Sequence, residues 1–127
     1  MRLLLDTHIL LVFIERGLAS LPAGAAVLLS DPDNEHHFSA ASLWEIAIKH
    51  RLGKLRLTPR LDALPELLDG MGVTIVPINE RHASASVEPE PSTRDPFDRM
   101  LLAQCQVESF RLVTLDRALA SHPLAKA

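Results

Sequence analysis

Four short runs of strand length, each separated from the next by helical periodicity, constrain this chain more than any other feature. The runs are Arg2 to Asp6, His36 to Ala40, Val73 to Pro77 and Phe110 to Thr114. Each is the length of a buried strand and too short for a helix. Strands that alternate with helices argue for an α/β fold, with a parallel sheet and right-handed crossovers. The first run ends on one acid, Asp6, before the chain turns apolar again. In an open parallel sheet the carboxyl ends of the strands are where ligands bind.

The intervening segments read as follows. Thr7 can cap a helix over His8 to Glu15 that Gly17 closes. Pro22 opens a second helix to about Ser30, and Asp31-Pro32-Asp33-Asn34 is a turn. Ser39 or Ser42 can cap Leu43 to Leu52, which Gly53 ends. Thr58-Pro59 reads as a cap and first helical residue for a helix within Leu57 to Gly70. Asn79 to Val87 is a short helix, Glu88 to Arg94 a proline-containing loop, and Pro96 to Glu108 a long helix. Asp116 to Ser121 is a short terminal helix or turn. With 127 residues, 47% of them hydrophobic, and no linker or repeat, residues 1–127 are expected to form a single domain.

Several function classes are disfavoured. A net charge of −3 does not announce a nucleic-acid binder, so such a ligand would need a local basic patch. The single cysteine, Cys105, excludes an internal disulfide and fits a reducing cytoplasm. Asp6 and His8 interrupt the N-terminal apolar run, so neither a signal peptide nor a membrane span is expected.

Four acids stand out by position. Asp6 ends the first strand, and Asp116 follows the last, in Leu112-Val113-Thr114-Leu115-Asp116. Asp98 lies in the first turn of a helix with Asp95 as cap and Pro96 at its start. Its helical neighbours Leu101, Leu102 and Cys105 make a stripe that faces the sheet. Glu45 stands in the apolar segment Leu43-Trp44-Glu45-Ile46-Ala47. Each has a plainer reading. Asp98 favours the helix dipole, Glu45 pairs with Lys49 at i+4, Asp116 caps the terminal helix, and Asp95 is mostly structural. Together the four can meet on one sheet edge. Carboxylates without His or Cys partners suit Mg²⁺ or Mn²⁺, which activate water and steady the leaving oxygen of a phosphodiester.

Leu-Leu-Leu-Asp-Thr-His at positions 3–8 resembles the opening of PIN-domain ribonucleases. So do Ser42-Leu43-Trp44-Glu45-Ile46-Ala47-Ile48-Lys49 with Gly53-Lys54-Leu55, Asp95-Pro96-Phe97-Asp98-Arg99-Met100-Leu101-Leu102-Ala103-Gln104, and Leu112 to Asp116. More narrowly, the chain resembles a VapC-type toxin of a toxin–antitoxin pair. The resemblance implies a three-layer α/β/α sandwich on a parallel sheet and Mg²⁺- or Mn²⁺-dependent endoribonuclease activity in the cytoplasm. It also implies a homodimer and a small antitoxin that blocks the site. Asp6, Glu45 and Asp98 then match the family's three acids, Asp116 its more variable fourth, and Thr7 its site-ordering hydroxyl. Relatives finish on a further strand. Ser121 to Ala127 is a poor strand, so that edge is expected to be missing or vestigial.

Lys49, Arg51, Lys54, Arg56 and Arg60 form an acid-free basic stretch, either an RNA-phosphate patch or a solvated helix face and loop. Aromatic residues are only 4%, so base stacking is not expected to dominate. His8 stands beside Asp6 and is read as a surface or core residue, Cys105 as core, and Trp44 as core or part of a dimer face. Two other readings of the chain are a PIN-like module that binds RNA or a partner without cutting, and a haloacid-dehalogenase-type phosphatase. The second wants an acid two residues after Asp6, where this chain has His8.

Overall fold

The computed structural model of the chain describes residues 1–126. It has strands β1 (Arg2–Leu5), β2 (Glu35–Ser39), β3 (Val73–Val76), β4 (Arg111–Val113) and β5 (Ala125–Lys126). Helices are α1 (Thr7–Arg16), α2 (Ala23–Ser30), α3 (Ala40–Arg51), α4 (Leu64–Gly70), α5 (Glu80–Ser84), α6 (Pro96–Glu108) and α7 (Arg117–Ala120). The strands form one sheet in the order β3-β2-β1-β4-β5, with every neighbouring pair parallel.

Side chains alternate across the sheet, and this builds three layers. Leu3 and Leu5 face one core with Ile9, Leu10, Phe38, Ile46, Leu64 and Leu68. Leu4 faces the other with Leu101, Leu102, Cys105, Phe110 and Leu112. Helices α1 to α4 therefore contribute to one face, and α6 and α7 cover the opposite one. This is the expected α/β/α arrangement. None of its described helices is long and apolar enough to cross a membrane.

The order of the strands positions the site. From β1 the chain moves outward through β2 to β3, then returns to place β4 on the other side of β1. The carboxyl ends of β1 and β4 thus flank the point where the winding reverses, which is where a crevice opens in such sheets. Leu5 is in register with Val113, and the Asp6 N–H donates to the Val113 carbonyl at 3.0 Å. Asp6 and Thr114 consequently emerge side by side.

Two local expectations change, and a third is met in reduced form. Asp6, not Thr7, is the N-cap of α1, its carboxylate accepting from the His8 N–H at 3.3 Å. Residues 57–60 are not helical. The Thr58 N–H donates instead to Glu15 at the end of α1, at 3.0 Å, and its hydroxyl bonds the other oxygen of that carboxylate. A 3₁₀ turn over Leu61–Ala63 then leads into α4. The terminal edge exists, but only as the two-residue β5 paired with β4, which is the vestigial form of the expectation.

Candidate functional site

A cleft of about 540 Å³ opens at the carboxyl edge of β1 and β4. Asp6, Glu45, Asp98 and Asp116 all line it, with Asp95, Thr7, His8, Lys49 and Lys54. The four acids picked out in the sequence therefore share one cavity. Each arrives on a different element: the end of β1, the second turn of α3, the first turn of α6 and the turn after β4.

Hydroxyl groups hold three of the carboxylates. Thr114 donates to Asp6 Oδ2, Thr7 donates to Glu45 Oε1 at 2.8 Å, and Thr93 donates to Asp98 Oδ2 at 3.2 Å. Two of these threonines work in the same way. Thr114 Oγ1 also accepts from the Asp116 N–H at 3.1 Å, and Thr93 Oγ1 from the Asp95 N–H at 3.2 Å. Each such hydroxyl fixes one acid by donation and the backbone of a second by acceptance. Arg99 holds the segment that carries Thr93, donating to the Thr93 carbonyl at 2.8 Å and pairing with Glu90.

A PIN domain family model matches residues 3–123, nearly the whole chain. The chain belongs to the PIN domain family. PIN domains are a nuclease fold, and in general they are metal-dependent ribonucleases. No curated protein matches this chain closely.

The electrostatics of this PIN domain reflect crowded acids. Burial pushes the Asp6 carboxyl above its ordinary value, and Glu45 and Asp116 add repulsion. The Thr114 and His8 hydrogen bonds act the other way. Asp98 is pushed up to about 6, first by burial, then by Asp95, with Asp6 and Asp116 contributing. Hydrogen bonding from Thr93 opposes that rise. The apparent surplus of negative charge is the kind that a cation relieves.

The donor set is all oxygen, which fits a hard divalent cation that keeps several waters and takes few protein ligands. Among the described residues, however, no three His, Cys, Asp or Glu side chains gather closely enough to hold a metal ion as they stand. The fit is thus to a loosely held, hydrated ion with one or two direct carboxylate contacts, not to a closed protein cage.

The plainer readings of two acids are also realised. Asp116 caps α7, accepting from the Ala118 N–H at 2.9 Å, while it lines the cleft. Glu45 pairs with Lys49 at 2.9 Å, again within the cleft. Asp95 caps α6 through the Phe97 N–H at 2.8 Å, as its structural reading expects, and also lines the cleft.

The basic stretch divides. Lys49 and Lys54 line the cleft, whereas Arg51 and Arg56 are exposed outside it and Arg60 pairs with Asp62. Cys105 is fully buried, as expected of a core residue. Trp44 is not core: it is 64% exposed and meets Phe97 edge-on, with ring centroids 5.9 Å apart. Sequence reasoning missed Thr93 and Thr114. A threonine two residues before an acid-bearing turn is their only signal, and it gains meaning once β4 is known to lie beside β1.

Proposed function

We propose that this PIN domain is a Mg²⁺- or Mn²⁺-dependent endoribonuclease that acts as the toxin of a toxin–antitoxin pair. The observation that carries this reading is the convergence of Asp6, Glu45, Asp98 and Asp116 on one cleft at the winding reversal of the sheet. Asp6 and Asp98 are assigned the main cation contacts, Glu45 a contact through water, and Asp116 the completion of the site. A divalent cation there would supply an activated water and charge neutralisation at the scissile phosphodiester.

The chain's own groups do the rest. Thr7, Thr93 and Thr114 keep three carboxylates in fixed orientations. Lys54 offers an ammonium group at the cleft wall, where an RNA phosphate would meet it. Arg51 and Arg56, outside the cleft, extend the phosphate track. Leu11, Ile46, Leu55 and Leu115 supply apolar wall. The exposed Trp44 edge supports a homodimer face, and the acid-lined cleft supports a small antitoxin that blocks it with a cationic group.

RNA cleavage with Mg²⁺ or Mn²⁺ tests the reading. Asp6→Asn and Asp98→Asn should each lower the rate by about a hundredfold or more, while binding of RNA persists. Undiminished cleavage by both variants would sink the assignment.

A second reading draws on the absence, among the described residues, of a tight ligand group. In it the domain holds RNA or a protein partner without turnover. Retention of RNA with no metal-dependent cleavage by the wild-type chain would favour it.

A further inference from the structure

We infer that Lys49 is a resident counter-ion of the acid cleft: it neutralises Glu45 and must leave before Glu45 can help to hold a divalent cation. This rests on the reading that the acids hold such a cation, and adds to it how the site fills.

Glu45 differs from the other cleft acids. Its side chain is 12% exposed and, as at Asp6, both oxygens have donors, but here one donor is charged. Thr7 donates to Oε1 at 2.8 Å, and Lys49 Nζ to Oε2 at 2.9 Å. The side-chain and backbone donors to Asp6 and Asp98 are neutral: Thr114 and the His8 N–H for one, Thr93 for the other. Glu45 is thus the cleft acid whose charge is balanced by an ion pair among the described residues.

The pair is also built to open. The Lys49 side chain is 51% exposed, so its stem can swing to solvent without breaking any core packing. Thr7 keeps Glu45 in place when the lysine goes, because its hydroxyl bonds the other oxygen. Two cations that compete for one carboxylate each lower the affinity of the other by the same factor. Lys54 provides a natural comparison. It lines the same cleft but forms no ion pair among the described residues.

The measurement is Mn²⁺ affinity of the full chain without RNA, by calorimetry or electron paramagnetic resonance, at low salt. Lys49→Met should tighten Mn²⁺ binding by roughly threefold or more, since an ion pair of this exposure is released. Lys49→Arg, which keeps the charge, should stay near wild type. Lys54→Met should tighten binding less than Lys49→Met, because it removes charge without freeing Glu45. In a Glu45→Gln background the Lys49→Met gain should vanish. An unchanged or weaker affinity in Lys49→Met, an equal gain in Lys54→Met, or a gain that survives Glu45→Gln overturns the inference. A wild-type chain that takes up no Mn²⁺ overturns the underlying cation reading too, which tells the two failures apart.

Discussion

Thr114 donates its hydroxyl hydrogen to Asp6 across 108 residues of sequence, joining the ends of two adjacent strands behind the cleft-lining Asp6. Both partners are buried. The bond orients one carboxylate oxygen and leaves the approach from the cleft open. Thr114→Val keeps the shape and removes the donor. It should cost about 1–3 kcal/mol of stability, because a buried acceptor loses its partner. Ribonuclease activity should fall by about 10- to 100-fold, the usual loss when a group that orients a ligating side chain is removed. Because this hydrogen bond holds the Asp6 carboxyl down, the acid limb of the rate profile should move to higher pH. Chemical denaturation and a pH–rate series read all three.

Asp98 makes the metal-free protein sensitive to pH. Its carboxyl rises from an ordinary 3.8 to about 6 on folding, burial being the main cause. The folded chain therefore holds this proton more tightly than the unfolded chain. That contribution to stability is full below about pH 3.8 and is lost as pH rises through about 6. Asp98→Asn should remove this loss. At pH 7 it should raise stability by on the order of 1 kcal/mol after allowance for solvent screening, a gain of a few degrees in Tm. Thermal melts between pH 4 and 7 in chelator test this. A variant that melts below wild type at pH 7 contradicts it.

Asp95 has two measurable effects of opposite kind. It caps α6 through the Phe97 and Asp98 N–H groups, and it is the second cause of the raised Asp98 carboxyl. Asp95→Ala should cost about 1 kcal/mol for the lost cap. The same change should lower the Asp98 titration midpoint, which carboxyl-carbon NMR can follow. A stability loss with no shift at Asp98 would mean that the two acids do not sense each other.

Trp44 bears on assembly. An indole 64% exposed on α3, braced edge-on by Phe97 of α6, is the apolar surface that the proposed homodimer would cover. Trp44→Ser should lower the melting of a monomer only slightly, for the lost edge contact with Phe97, and shift the mass seen by light scattering toward that of a single chain. A full-mass dimer in the variant would place the contact on another face.

Much of this fold is legible in the sequence where local chemistry agrees with the tertiary result. Helix α6 begins at Pro96 as its Asp95-Pro96 start predicts, and Leu101, Leu102 and Cys105 are buried on the stripe beneath Asp98. The four strand-length runs become strands, with their ends moved by no more than one residue. The failures have physical reasons. Thr58-Pro59 carries a good helix-start signal, but Glu15 captures both polar groups of Thr58 and delays the helix to Leu64. Trp44 is apolar in an apolar segment, and only the packing of α3 against α6 decides that it faces outward. Ala125 and Lys126 have no strand preference of their own, and β4 supplies the pairing. For the cleft, the acids are readable because a carboxylate in an apolar run is costly. The threonines are not, because a hydroxyl is cheap almost anywhere and acquires a role only from a neighbour distant in sequence.

The position of β4 beside β1 has a consequence in time. Asp6 is synthesised before its neighbouring strand, Arg111–Val113, and before its hydroxyl partner Thr114, which lies 108 residues further along. During synthesis at the ribosome, the cleft can take shape only after Asp116 has emerged. The pairing that closes it spans over a hundred residues, the type of contact that slows folding. A nascent chain that stops short of β4 therefore carries Asp6 and Glu45 without the wall that makes them a site.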